Sequence, residues 1–237
     1  MVIGMPSLFK RHKGNKQGQP DKPDHDEQLD DDVPAYGWDA ITAKFDAIYP
    51  GQTEPLHYGT LVTYQFGGRD PLQGVSAYDA GEYWHFVTYG FSDLYEKESD
   101  DPEWSGYGFE LTLKLKKLPS MPDPKKDDSE IKNIVGVLQS LARYVFGSGN
   151  CLNPYEYVYT GQTTGFDAKQ KSKLTGFGTL PDEAGTIETP NGKVRFVCVV
   201  GLTAKELESI KSKEHTTREI LELLGSDLTD YSRSDVI

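Results

Sequence analysis

The sequence predicts an α+β fold, a mixed and largely antiparallel central sheet with helices packed on it. Three observations carry that expectation. Phe109, Leu111, Leu113 and Leu115 alternate with Glu110, Thr112, Lys114 and Lys116, the period of two that marks a strand. Ile131, Ile134, Val135, Leu138, Leu141, Ala142 and Val145 recur instead at helical spacing and form one apolar stripe. The elements follow one another as helix, strands, helix, strands and helices, which departs from the strict alternation of a parallel fold.

Taken in order, the chain opens on a stretch that cannot form a core. Lys10 to Asp32 passes from a basic to an acidic cluster with Leu29 its sole large apolar residue, too little to offset chain entropy. Residues 1–33 are therefore expected to be a disordered charged tail, and 34–237 a folded domain. Order begins near Pro34, where Trp38, Ile41, Phe45 and Ile48 line one helical face until Pro50 and Gly51 stop it. Tyr58 to Phe66 is rich in β-branched and aromatic residues and reads as a strand, closed by the turn signal Gly67 to Pro71. Tyr83 to Tyr89 carries bulky residues on both parities, which suits a central strand covered on both faces. Phe109 to Lys116 has one apolar and one charged face, and the charged face is expected to meet water.

The strong helix that follows is expected to be capped by Asp127, with Glu130 three residues on, and to end at Gly147. A short strand near Tyr157 and a hairpin turning at Pro190, Asn191 and Gly192 come next. Thr203 and Thr216 each stand three residues before a glutamate, so each predicts a capping box opening a short helix, the second of which stops at Gly225.

Composition narrows the function. The chain has 237 residues, 36% of them hydrophobic, enough for a sizeable core. Its 37 acidic against 25 basic residues give a net charge of −12, which repels a phosphate backbone and favours a basic protein or peptide as partner, not nucleic acid. Cys151 and Cys198 are too few for a disulfide framework and suit a reducing, cytoplasmic setting. The first residues lack the apolar core of a signal peptide, and no run approaches the ~18 apolar residues of a membrane span. The expectation is a cytoplasmic protein with no membrane association.

Catalytic and cofactor signals are weak. The five histidines, His12, His25, His57, His85 and His215, show no metal-ligand spacing, so no metal is expected. The glycine pairs at Gly147 and Gly176 do not match a phosphate loop and read as turns or caps, so no cofactor is expected either. His85, Ser92 and Asp93 could form a hydrolase triad only by meeting in space. The plainer reading makes His85 a hydrogen-bonded core residue and Asp93 a turn-former, and the protein no enzyme. Glu96 to Trp104 is an acidic loop, either a solubilising segment or a patch that attracts a basic partner.

Five ordered blocks then carry a resemblance: "GGRDPLQGVSAY", "YWHFVTYGFSDLY", "SGYGFELTLKLKK", "LARYVF" and "REILELLG". From about Tyr36 to about Tyr231 the chain resembles the N-terminal domain of the Suppressor of fused family. The resemblance implies an α/β sandwich around a mixed sheet and a non-catalytic binding module without a cofactor. Animal members of two domains hold Gli transcription factors in the cytoplasm by gripping an extended peptide. Single-domain bacterial members, which this chain resembles, imply an immunity or antitoxin protein that neutralises a partner toxin. A regulatory scaffold that sequesters a signalling or transcription protein is the alternative. The residues expected to bind the partner run off the central strand into the acidic loop: Tyr89, Ser92, Asp93, Tyr95, Glu98, Asp100, Asp101 and Trp104.

Overall fold

The computed structural model describes residues 34–237 apart from Thr53, Thr63, Ser120 and the side chain of Gln65. The tail expected over 1–33 lies outside the described residues. Eight strands are present among the described residues: β1 (Leu56–Gly59), β2 (Gly74–Asp79), β3 (Tyr83–Tyr89), β4 (Trp104–Lys116), β5 (Tyr157–Tyr159), β6 (Leu174–Thr189), β7 (Gly192–Thr203) and β8 (Leu228–Thr229). They form one sheet in the order β1-β2-β3-β4-β7-β6-β5, with β8 pairing beside β4. Only β4 with β7 and β4 with β8 run parallel, so the sheet is mixed and largely antiparallel as the sequence predicts.

Among the described residues four helices cover it: α1 (Tyr36–Ile48), α2 (Ser129–Ser148), α3 (Ala204–Lys211) and α4 (Thr217–Leu224). The alternation along β7 shows how the faces divide. Val197 and Val199 join the core under α2, whereas Phe196 packs with Ile41 and Phe45 of α1, and Cys198, Val200 and Leu202 pack with Leu207, Ile210, Ile220 and Leu221 of α3 and α4. One face thus belongs to α2 and the other to α1, α3 and α4.

The helix signals hold with small shifts. Thr203 and Thr216 make complete capping boxes with Glu206 and Glu219, and Gly225 closes α4 in the left-handed region. α2 starts one residue later than expected: Asp128 is its N-cap without a side-chain bond, and Asp127 accepts the Ser129 amide at 3.0 Å. It also runs past Gly147 to Ser148, capped by Gly149, whose φ of 71° lets its amide donate to the Val145 carbonyl at 2.8 Å.

Three readings are corrected. The strand expected to Phe66 stops at Gly59, where its pairing with β2 ends at Gly74 and the Thr60 amide turns onto the Gln73 carbonyl. Tyr64–Phe66 is instead a turn of 3-10 helix, and Leu61 and Phe66 stand 101% and 84% exposed. Gly176 and Gly178 are not in a turn but inside β6, where a side chain at Gly176 would strike the Val158 carbonyl at 2.5 Å and Leu207 at 2.7 Å. Their bareness lets α3 and α4 lie close on the sheet.

The third correction concerns β4. Its polar face does not meet water: Glu110 and Thr112 are fully buried and Lys114 is 3% exposed. Each is satisfied by a distant segment. Glu110 receives Thr88 and Ser92, Thr112 donates to Asp182 at 2.7 Å, and Lys114 donates to Glu183 and Asp227 at 2.8 and 2.7 Å. Burial works against the Lys114 charge, yet these two carboxylates hold its ammonium well above the usual lysine range.

Candidate protein-binding site

β3 lies between β2 and β4, and the residues that follow its C-terminal end line the groove described below. The chain leaves the sheet at Gly90, whose φ of 135° and close approach to the Leu72 and Gln73 backbone exclude a side chain. The connection from Gly90 to Glu103 then folds around Asp93. Its Oδ2 accepts the Ser99 hydroxyl at 2.8 Å and the Gly106 amide at 2.9 Å, and its own amide donates to Ser105 Oγ at 2.9 Å. Asp93 is thereby a turn-former. Asp101 works similarly at the far end, its carboxylate accepting the amides of Glu103 and Trp104 and held below its ordinary pKa by those two bonds.

Beside this loop lies an open groove of about 520 Å³. Tyr64, Phe66, Tyr107 and Phe146 supply aromatic surface, while Asp93, Glu96 and Glu98 line it with carboxylates. Tyr107 and Phe146 lie against each other at 5.0 Å between ring centroids, and Tyr64 meets Phe146 edge-on at 5.6 Å. Tyr95, 39% exposed, lines it too and donates its hydroxyl to Gln73 Oε1 at 2.9 Å.

The structure sorts the expected site residues. Ser92, Asp93, Tyr95 and Glu98 line the groove. Asp100 and Asp101 are exposed on the loop beyond it, and Trp104 is half-buried under the Arg195 guanidinium, 5.4 Å from its ring centroid. Tyr89 is 1% exposed and stacked on Trp38 at 4.2 Å, so it cannot touch a partner directly and acts as support. Ser92 is 5% exposed and spends its hydroxyl on Glu110 at 2.7 Å.

His85, Ser92 and Asp93 fall into separate networks. His85 is fully buried; Nε2 donates to Asp182 Oδ2 at 3.2 Å, which leaves Nδ1 as the partner of the Tyr49 hydroxyl at 2.7 Å. Among the described residues no hydrogen bond joins the three. Sequence reasoning missed Phe66, Tyr107 and Phe146, which converge from three elements, and Asn191, whose side-chain amide donates to the carbonyls of both Asp93 and Tyr95 at 2.9 and 3.0 Å. Its turn chemistry was visible; its reach to the loop was not.

These features define an α+β domain with an aromatic, acid-rimmed groove at the end of its central strands. The chain belongs to the Suppressor of fused protein family, whose sequence profile matches residues 68–234. It is 32% identical over 225 residues to the Suppressor of fused homolog of Homo sapiens, covering 85% of this chain and 44% of that one, and the Mus musculus homolog matches equally. It therefore spans less than half the length of these relatives. The crystal structure of Drosophila Suppressor of Fused superposes with a TM-score of 0.72 at 29% identity, covering 86% of this chain and 52% of that one. A chain of a Sufu-Fu complex crystal structure gives 0.71 at 29% identity, over 86% of this chain and 93% of that one.

Proposed function

We propose that residues 34–237 form a non-catalytic protein-binding domain whose partner docks in the groove beside the Gly90–Glu103 loop. The observation that carries this is the groove itself: exposed aromatic side chains face a rim of carboxylates on an elaborately hydrogen-bonded loop. Aromatic surface that the fold leaves open provides anchoring area, and the acidic rim with a net charge of −12 selects a partner carrying lysine or arginine. That a chain of similar fold crystallised in a Sufu-Fu complex supports a protein as the partner class.

The particular role we propose is that of a cytoplasmic immunity protein, blocking a basic toxin by direct contact. The test is co-purification from the native host at low salt, with the product of the neighbouring gene as first candidate. Retention that weakens with salt and is lost in Phe66→Ala supports the reading. Failure of the tagged chain to retain that product or any other protein removes it.

A second reading, a scaffold that sequesters a regulatory protein through an extended peptide, is favoured by β1, which among the described residues pairs with β2 on one side and with no strand on the other. Peptide titrations that shift β1 amides and leave the groove unmoved would select it.

A further inference from the structure

Glu110 is wholly buried on β4, and every group that donates to it is neutral. Its Oε1 accepts three bonds from the turn that opens the groove loop: the Gly90 amide at 3.0 Å, the Ser92 amide at 2.9 Å and the Ser92 hydroxyl at 2.7 Å. Its Oε2 accepts the Thr88 hydroxyl at 2.6 Å. Gly90 and Ser92 both line the groove, so one internal carboxylate fixes the backbone from which the groove wall is built.

We propose that Glu110 is the positioning residue of the groove, and that the charge it carries sets how firmly the Gly90–Ser92 turn is held. With three donors on Oε1, an added proton can sit only on Oε2. There the Thr88 hydroxyl can receive it, because that hydroxyl also lies 3.2 Å from the Leu111 carbonyl and can redirect its own hydrogen there. Protonation thus costs one hydroxyl rotation and leaves the fold intact. The three bonds on Oε1 lose their charge assistance, which is worth roughly half their strength. Burial pushes this carboxyl up to about 6, against the pull of its four hydrogen bonds, so the change falls near neutrality.

Among the described residues, the surroundings supply no competing counter-charge at close range. β3 brings the Tyr89 phenol and, further along, His85; β6 brings Asp182, which His85 and Thr112 already occupy. β4 carries Lys114, committed to Glu183 and Asp227, and the loop carries Asp93, committed to Ser99 and Gly106. β7 places Phe196 opposite Glu110 and the buried thiol of Cys198 beyond it. α1 packs Ile41 and Phe45 on this face, keeps Asp39 and Asp46 exposed, and holds Lys44 half-buried.

The inference rests on the groove reading for its consequence, but its test needs no partner. Amide resonances of Gly90 and Ser92 in the full chain, followed from about pH 7.5 to about pH 5, should share one midpoint near 6, and Glu110→Gln should abolish the movement. Ser92→Ala, which removes one donor to the charged form, should raise that midpoint and serves if the glutamine variant does not fold. Titration in Glu110→Gln like that of the wild type would assign the effect to another group and overturn the proposal, as would a midpoint unmoved by Ser92→Ala. A groove that retains no partner would defeat the binding reading alone, since these resonances are read on the free protein.

Discussion

The side-chain amide of Asn191 donates to the carbonyl of Asp93 at 2.9 Å, joining two residues 98 apart in the chain. A second bond, to the Tyr95 carbonyl, fixes the acidic loop to the β6–β7 turn. Asn191 is 5% exposed, so Asn191→Ala leaves both carbonyls poorly satisfied and should cost about 1–3 kcal/mol in urea unfolding. Hydrogen exchange should accelerate around Asp93 to Ser99 more than in the sheet. Uniform acceleration throughout the sheet would show that the bond supports the whole fold and not this loop.

The His85–Asp182 pair predicts a coupled loss. Asp182 accepts His85, Thr112 and the Ala184 amide, the latter two at 2.7 Å, and both members of the pair have wholly buried side chains. Removing either should cost about 3–5 kcal/mol because the other is left buried without its partner. The double variant His85→Ala/Asp182→Ala should lose much less than the sum of the singles. Additive losses in a double-mutant cycle would refute the coupling.

Two glycines predict opposite signs. Gly136, exposed in the middle of α2 with open space where a side chain would project, should gain about 0.5–1 kcal/mol as alanine. Gly176→Ala should destabilise, since its new carbon meets the Val158 carbonyl. Melting temperatures of the two variants, moving apart from wild type, check both.

Those contrasts also mark what the sequence could disclose. Helix signals are local: Thr203 and Glu206, or Ile131 to Val145, lie within a few residues of each other, and each was legible. The central place of β3 followed from bulky residues on both parities. The polar face of β4 was misread because Lys114 finds Asp227 across 113 residues and Thr112 finds Asp182 across 70, partners that no spacing rule connects. β2 was overlooked for a related reason: Gly74 and Ser76 interrupt its apolar pattern, yet both faces of Gly74–Tyr78 are buried. The loop half of the candidate site was visible as an acidic run off a strand, while its aromatic half needed Phe66, Tyr107 and Phe146 to meet.

Stability should depend on pH through Glu110 with a definite sign. Its folded pKa, about 6, lies above the ordinary 4.5, so its contribution is greatest below about 4.5 and is lost as pH rises through 6. The shift corresponds to about 2 kcal/mol. His57, which burial lowers from its ordinary 6.5, acts oppositely and favours the fold at higher pH. The difference between wild type and Glu110→Gln isolates the first effect: the stability of the wild type relative to the variant should fall from pH 4.5 to 6 and then level off. A constant difference over that window would contradict the assignment.

Partner binding should separate the two halves of the groove. Phe66 is 84% exposed, so Phe66→Ala should leave stability nearly unchanged and weaken partner binding by about 2 kcal/mol, chiefly through faster dissociation. Glu98 on the groove rim and Asp100 on the loop beyond it are both exposed, and reversing both to lysine should slow association and flatten its salt dependence, with dissociation little altered. Surface plasmon resonance with the captured partner at two salt concentrations resolves the rates. If the reversal instead changed only dissociation, these carboxylates would be buried contacts of the interface, and the steering role assigned to the acidic rim would fail.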